Sequence, residues 1–366
     1  MAAEDAFSAR EWLRYARQVQ LPEVGPAGQR RLRGARVLIV GAGGLGVPAA
    51  LYLAGAGVGG LTLVDGDAVA VSNLHRQVLY AETDVGADKA GAAARQLQAR
   101  NADIDVRALA APLAADNVDG LVSEADLVLD CTDQMAVRYL LNAACRRHAK
   151  PWLFAAVDRF AGQLALFEPD GACFQCLYPD HPQGLLDCAA AGVLGVVPGL
   201  LGLLQAGEAL KLLLDLPTPS RNHLLLWDAL GLELRRLRLR REPTCPCCST
   251  GGRAELPPAP GCAAAVAVAD GELTPAEFAA ALERGEGALV DVRSAAEFAA
   301  FNLGGVNIPL DQLSADDPCL AAGALFVCQS GVRSRRAVER LRAAGCESAF
   351  SLRGGILAWL TASDGS

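Results

Sequence analysis

The stretch "ARVLIVGAGGLG", residues 35–46, decides the fold of the first part of the chain. The apolar run Val37–Val40 ends in Gly41, Gly43 and Gly46, spaced G-x-G-x-x-G. The Ala-rich "VPAALYLAGAGV" follows, and then a second apolar run, "GLTLVDGD". Strand, turn, helix and strand in this order form a βαβ unit of a parallel sheet. The pattern continues through "ADLVLDCTD", a helix from about Met135 to Ala149, and "PWLFAAV". These segments predict a doubly wound α/β domain.

Glycines at this spacing let the backbone amides of a helix N-terminus approach phosphate groups. Asp65 ends the second strand, where a carboxylate can hold ribose hydroxyls, and a dinucleotide oxidoreductase shares these features. Glycines that only pack a helix tightly on a sheet share them too. The following stretch separates the readings. "SNLHRQ" (72–77) and Lys89 supply positive charge suited to a triphosphate, which hydride transfer does not need. Asp133, just past a strand's C-terminal end, is placed to hold magnesium. Taken singly, each of these charges reads as a solvated surface residue; together with the glycine loop they favour an ATP site.

The chain has 366 residues, 52% hydrophobic and 20% charged, enough for two domains with a sizeable core. A net charge of −8 argues against nonspecific nucleic-acid binding, because that needs clustered excess Lys and Arg. The N-terminus lacks the apolar stretch of a secretory signal, so the expected compartment is the cytoplasm. Twelve cysteines there point to metal binding or thiol chemistry rather than a disulfide framework. Residues 188–207 carry no charge and are long enough for a membrane helix. Their glycines, Pro198, and the run into Glu208 and Lys211 favour a buried loop and core helix instead.

Two C-x-x-C pairs, Cys173 with Cys176 and Cys245 with Cys248, suit tetrahedral zinc with no open position, a structural site. Cys247 in "CPCC" is the bystander, although a shift of ligand within that motif stays open. The Gly-, Pro- and Ala-rich residues 251–270 read as a linker between a first domain, 1–250, and a second, 271–366. The second is a smaller α/β unit with strands "ALVDVR", "ALFVCQ" and "SAFSL" and helices "TPAEFAAALERG" and "SRRAVERLRAAG", the latter with Ala337, Leu341 and Ala344 on one face. Within it, "VCQSGVRS" (327–334) places Cys328 after a strand, as an exposed thiol with positive surroundings. A loop from Cys328 to Arg333 aims backbone amides and a helix N-terminus at the sulfur, which favours a thiolate or a persulfide.

"RYARQ", "VLIVGAGGLG", "LVDGD", "SNLHRQ", "VGADKA" and "DCTDQ", in this order over residues 11–250, resemble the E1-like adenylating enzymes of the MoeB and ThiF type. That resemblance implies a Rossmann-like domain with a structural zinc, and adenylation of the C-terminal glycine of a ubiquitin-fold sulfur carrier with ATP and magnesium. It further implies that Gly44 and Asp65 hold the adenosine side, and that Ser72, Asn73 and Arg76, within the motif that includes Leu74 and His75, surround the phosphates. Lys89 then stabilises the transition-state charge and Asp133 binds magnesium. Gln134 stands where the family usually has Asn. Arg17 matches an arginine that reaches the ATP of a neighbouring subunit, implying a homodimer, and Cys188 matches the family's reactive cysteine. The Cys328 loop, with "DVRSAAEF" and "LRGGILAWL", resembles the rhodanese domain, which implies sulfur carried as a persulfide and supplied by a cysteine desulfurase or thiosulfate. "FNLGGVNIP" departs from the usual histidine-containing motif and leaves the local loop geometry open. The C-x4-R spacing to Arg333 suits sulfur better than phosphate, whose loop is C-x5-R. Against this stand two other classes: a noncatalytic scaffold that binds the carrier, and a zinc-containing dinucleotide-dependent oxidoreductase.

Overall fold

A computed structural model describes residues 6–179, 192–249, 271–314 and 323–363. The chain divides into two compact units, Met1–Pro260 and Gly261–Ser366. Residues 251–270, read from the sequence as a linker, lie outside the described residues.

The first unit runs α1 (Ala9–Val19), α2 (Gly25–Gly34), β1 (Arg36–Val40), α3 (Gly46–Ala56), β2 (Gly60–Val64), α4 (Lys89–Arg100), β3 (Asp105–Leu109) and α5 (Val118–Glu124). It continues with β4 (Leu127–Asp130), α6 (Met135–Arg147), β5 (Trp152–Asp158), β6 (Ala161–Phe167), α7 (Phe174–Leu177), α8 (Val196–Leu213), β7 (His223–Asp228) and β8 (Glu233–Arg238). The strands form one sheet in the order β3-β2-β1-β4-β5-β6-β7-β8. Pairing is parallel from β3 to β5 and antiparallel from β5 to β8. Strand β1 reads as an unbroken apolar run because both its faces are covered: Val37 and Ile39 join one core cluster, Leu38 and Val40 the other. The chain leaves β1 toward β2 on one side and later returns as β4 on the other. That reversal opens a crevice at the carboxyl ends of β1 and β4.

Helix α6 ends at Arg147, short of the Ala149 expected from the sequence, because Ala149 takes a left-handed φ of 50° that an α-helix cannot continue through. Helix α8 is long and apolar enough to cross a membrane by composition. Here it packs on α3, β5 and β6. Its buried Glu208 accepts the Ser220 N–H at 2.8 Å and pairs with Lys211, as a core helix would.

The second unit runs β9 (Glu272–Leu273), α9 (Pro275–Glu283), β10 (Ala288–Asp291), α10 (Ala295–Ala300), β11 (Val306–Asn307), β12 (Ala324–Val327), α11 (Val332–Ala343), β13 (Ala349–Leu352) and α12 (Gly355–Ser363). Its sheet is wholly parallel, ordered β11-β10-β12-β13-β9. Helix α11 starts at Val332, two residues before the sequence pattern suggested. Its buried face is Ser334, Ala337, Val338 and Leu341, whereas Ala344, expected on that face, is an exposed C-cap residue.

Candidate functional site

The glycine loop spans β1 and α3 at the sheet's crevice. Gly41 has φ 96°, and a Cβ there would lie 2.7 Å from the Cys131 carbonyl oxygen. A Cβ on Gly46 would lie 1.8 Å from the Gly41 oxygen. Both glycines are therefore required by the chain's own packing. Gly44 faces Pro198 of α8, where a Cβ would come within 3.1 Å. Gly43 differs, because its Cβ would meet only Gln77 Nε2, at 3.6 Å. Space beside Gly43 is left open toward the crevice.

The charged residues predicted around this loop are held by local bonds. Asp65 accepts the Ala42 N–H at 2.7 Å and the Asp67 N–H at 2.8 Å, locking the end of β2 to the loop. Burial raises its carboxyl above the usual range despite those two bonds. The Tyr80 hydroxyl lies 2.8 Å from the Ala42 carbonyl and 3.1 Å from that of Lys89, so it ties the loop to the start of α4. Lys89, buried at that start, donates from Nζ to Asp67 at 2.7 Å. Arg76 donates to the Ser72 carbonyl at 2.8 Å and lies 2.9 Å from His75 Nε2. Burial pushes its guanidinium pKa down, and the charge of Asp133 opposes that shift. Asn73 Oδ1 accepts the Ala70 N–H at 3.1 Å, and Leu74 packs on the apolar core. Asp133 and Gln134 are exposed where β4 gives way to α6, with Gln134 at the N-cap position but forming no capping side-chain bond.

Arg17 is not brought to this crevice. It is exposed in the last turn of α1, two residues after Tyr15, which packs on Gly57 at the far end of α3 from the glycine loop. Eleven helical residues separate the ends of α3, about 16 Å. Cys188 lies outside the described residues. Behind the crevice the sequence left a pair unread. Asp130, fully buried, faces Arg138 Nε at 3.3 Å, and Arg138 also donates to the Thr132 carbonyl at 2.7 Å.

Cys173, Cys176, Cys245 and Cys248 converge, with all four sulfurs within 4.8 Å of one another. Three of the separations are 3.9 Å (173 to 176), 3.6 Å (173 to 245) and 3.3 Å (176 to 248). A tetrahedron of sulfurs about 2.3 Å from zinc has edges of about 3.8 Å, so the donor set fits that ion. Burial works against a thiolate at Cys245, but the N–H groups of Cys248 and Cys247 and neighbouring thiols outweigh it and hold its pKa below the usual range. Burial and the adjacent thiols push Cys248 up. Cys247 falls outside the quartet; its sulfur takes a bond from Asn142 Nδ2 at 3.2 Å. The same Asn142 accepts the Phe174 N–H at 2.9 Å, so one buried amide joins the two cysteine arms.

In the second unit, Cys328 sits at the carboxyl end of β12 and is fully buried, not exposed as the sequence suggested. The chain passes back over it, since α12 donates the Ile356 N–H to the Cys328 carbonyl at 2.9 Å. A Cβ on Gly355 would lie 2.3 Å from that oxygen. Two of the positive charges near the loop are paired with carboxylates. Arg333 is bound at both ends by Glu297, at 2.9 and 2.6 Å, and Arg293 is paired with buried Asp291 at 2.7 Å. The Arg333 bonds hold the Glu297 carboxyl down at about 2. What faces the sulfur are amides of the loop and helix, as predicted, Gly331 N–H at 3.2 Å and Ser334 N–H at 3.4 Å, together with the Ser334 hydroxyl at 3.5 Å, which the sequence reading missed. Gly331 supports this with φ 87°, which turns its N–H inward.

The ThiF family profile matches residues 15–247, and the Rhodanese-like domain profile matches residues 274–362. The chain belongs to the ThiF family. This ThiF-family chain is 37% identical over 368 residues to the "Probable adenylyltransferase/sulfurtransferase MoeZ" of Mycobacterium tuberculosis, covering 97% of itself and 94% of that protein. It is 47% identical over 250 residues to the "Sulfur carrier protein adenylyltransferase" of Thermus thermophilus, covering 66% of itself and 92% of that protein. Among solved structures, that of E. coli MccB with ATP aligns with a TM-score of 0.57 at 24% identity, covering 68% of this chain and 76% of that one. At that identity the match bears on the fold alone.

Proposed function

We propose that the chain activates the C-terminal carboxylate of a ubiquitin-like sulfur carrier with ATP and then delivers sulfur to it from Cys328. What supports this most is that the glycine loop is tied through Asp65 and Tyr80 to the start of α4, where Lys89 pairs with Asp67, and that Arg76 lies near enough to Asp133 for their charges to interact, in a chain that also holds an amide-lined cysteine loop. A relative matched over nearly its whole length bears both activities in its name.

The carrier carboxylate attacks the α-phosphate of ATP, and pyrophosphate leaves. Arg76 and Lys89 offset the charge that develops on the phosphates, and loop amides orient them. Asp133 supplies one carboxylate to magnesium, an ion that takes one or two carboxylates together with substrate phosphates. A persulfide on Cys328 then attacks the acyl carbon of the adenylate and AMP leaves, joining carrier and enzyme through an acyl disulfide. Attack by a further thiol on the Cys328 sulfur of that bond frees the carrier as a thiocarboxylate.

Zinc on the four cysteines has a structural role, because all four positions are filled by protein sulfur. Arg17, remote from its own crevice, acts at the site of a second copy in a homodimer, as the family resemblance implies. The expected setting is the cytoplasm. Carrier-dependent exchange of labelled pyrophosphate into ATP tests the first half of the proposal; exchange that does not depend on any carrier bearing a C-terminal glycine would refute it.

A further inference from the structure

We infer that Ser351 is a positioning residue for sulfur transfer, donating to Ser334 and so fixing the Ser334 hydroxyl as a donor toward Cys328. The inference rests on the second unit being a sulfurtransferase, as proposed above.

Ser351 interrupts an apolar strand. It lies in β13 opposite Phe326, and it is fully buried, as is Ser334 in the first turn of α11. A buried hydroxyl costs free energy unless it is paired. The two serine oxygens are 2.8 Å apart. Ser334 Oγ also lies 3.0 Å from the Gly331 carbonyl oxygen and 3.5 Å from Cys328 Sγ.

Proton accounting sets the direction of this chain of bonds. There are two hydroxyl protons, and the Gly331 carbonyl only accepts. If Ser334 donated to Ser351, the Ser351 proton would have no acceptor among the described residues and both loop acceptors would lose a donor. The opposite sense uses both protons, so Ser351 donates to Ser334, and Ser334 donates into the loop. Ser334 then has two acceptors to choose between. The Gly331 carbonyl also accepts the Arg335 N–H at 2.9 Å, so it stays satisfied when the Ser334 proton turns to the sulfur. Negative charge on Sγ draws the proton there, because charge-assisted bonds are the stronger ones. Arg333 does not compete for that role, being held by Glu297.

The consequence falls on the step in which Cys328 Sγ carries charge. With thiosulfate, the Cys328 thiolate attacks the outer sulfur, the thiosulfate S–S bond breaks, and sulfite leaves with the bonding pair. Cyanide then takes the terminal sulfur as thiocyanate, and Sγ departs as thiolate. Ser334 stabilises that departing thiolate.

Thiosulfate–cyanide turnover is measured on the full chain for wild type, Ser334→Ala, Ser351→Ala, the double variant, and the shape-matched pair Ser351→Thr and Ser351→Val, with Cys328→Ala as blank. Expected is a kcat lowered about tenfold by each alanine change, with KM for thiosulfate unchanged. The double variant is then no slower than Ser334→Ala alone, and Ser351→Thr retains turnover that Ser351→Val loses. Wild-type kcat in Ser351→Ala, additive losses in the double variant, or equal rates for Thr and Val would each overturn the relay while leaving the sulfurtransferase reading intact. Absence of Cys328-dependent turnover in wild type would overturn both.

Discussion

Replacing Gly43 and Gly46 by alanine, one at a time, separates the glycines that build the fold from the one that faces a ligand. At Gly46 the new methyl would start 1.8 Å from the Gly41 oxygen. A comfortable carbon–oxygen contact is about 3.3 Å, so the loop or the first turn of α3 has to yield by about 1.5 Å. Gly41 cannot give way freely. Its N–H is bonded to the Val64 carbonyl at 2.8 Å, and its own Cβ position is blocked by Cys131. Gly46→Ala is therefore expected to destabilise the first unit by about 3 kcal/mol or more, as strain in a packed core does. At Gly43 the methyl meets one side-chain nitrogen at an ordinary 3.6 Å, and the backbone is outside the left-handed region. Stability should then stay within about 1 kcal/mol of wild type. The same methyl occupies the open side of the loop, where phosphate oxygens approach the amides, so ATP affinity should fall about tenfold or more. Urea unfolding and calorimetric ATP titration of both variants give the two readouts. Unchanged ATP affinity in a folded Gly43→Ala protein would refute the assignment of this loop to the nucleotide.

Three further outcomes are expected. Asp133→Ala and Arg17→Ala each abolish pyrophosphate exchange, yet mixed subunits of the two regain activity at about a quarter of the sites, since a random mixture of dimers rebuilds one complete site in each hybrid; no recovery on mixing, measured as exchange rate, would place Arg17 outside the reaction. Asn142→Ala, which unlinks the two cysteine arms, should speed release of zinc to a chromogenic chelator by about tenfold, and an unchanged rate would count against the amide's bridging role. Glu297 has its carboxyl lowered from 4.5 to about 2 by Arg333, so this pair's contribution is complete above pH 4.5 and is lost as pH falls toward 2. The side chain is 37% exposed, which limits that contribution to about 1 kcal/mol; Glu297→Gln should flatten the acid limb of the second unit's unfolding curve, and an identical curve would exclude the pair as its cause.

Strand, loop and helix at residues 35–58 were legible because an apolar run, closely spaced glycines and an Ala-rich segment in that order form a strand, a tight turn and a helix whichever ligand the loop serves. The two C-x-x-C pairs were legible from spacing, with the member of "CPCC" that joins the quartet left to the tertiary structure, and the amide cradle of Cys328 followed from a strand, a glycine and a helix start. Burial of Cys328 was not legible, because it comes from α12 folding back across the loop, and the contacting residues Gly355 and Ile356 are remote in sequence. Neutralisation of Arg333 was hidden in the same way, since its partner Glu297 reads locally as part of an N-terminal capping box with Ser294. Asn142 and Ser351 look like ordinary residues of an amphipathic helix and a strand. Only the tertiary structure shows which neighbour each of them bonds. The one local signal was a hydroxyl inside the otherwise apolar "AFSL".

Intact-mass spectrometry of a ubiquitin-like carrier ending in glycine, incubated with this chain, ATP, magnesium, thiosulfate and a thiol that cleaves the acyl disulfide, tests the central claim most directly. The expected result is a carrier in which one oxygen is replaced by sulfur with wild type, and no such carrier with Cys328→Ala, although that variant still forms the acyl-adenylate. A carrier whose mass stays unchanged with wild type, under conditions where ATP is bound and the cysteine loop is reduced, would contradict the account.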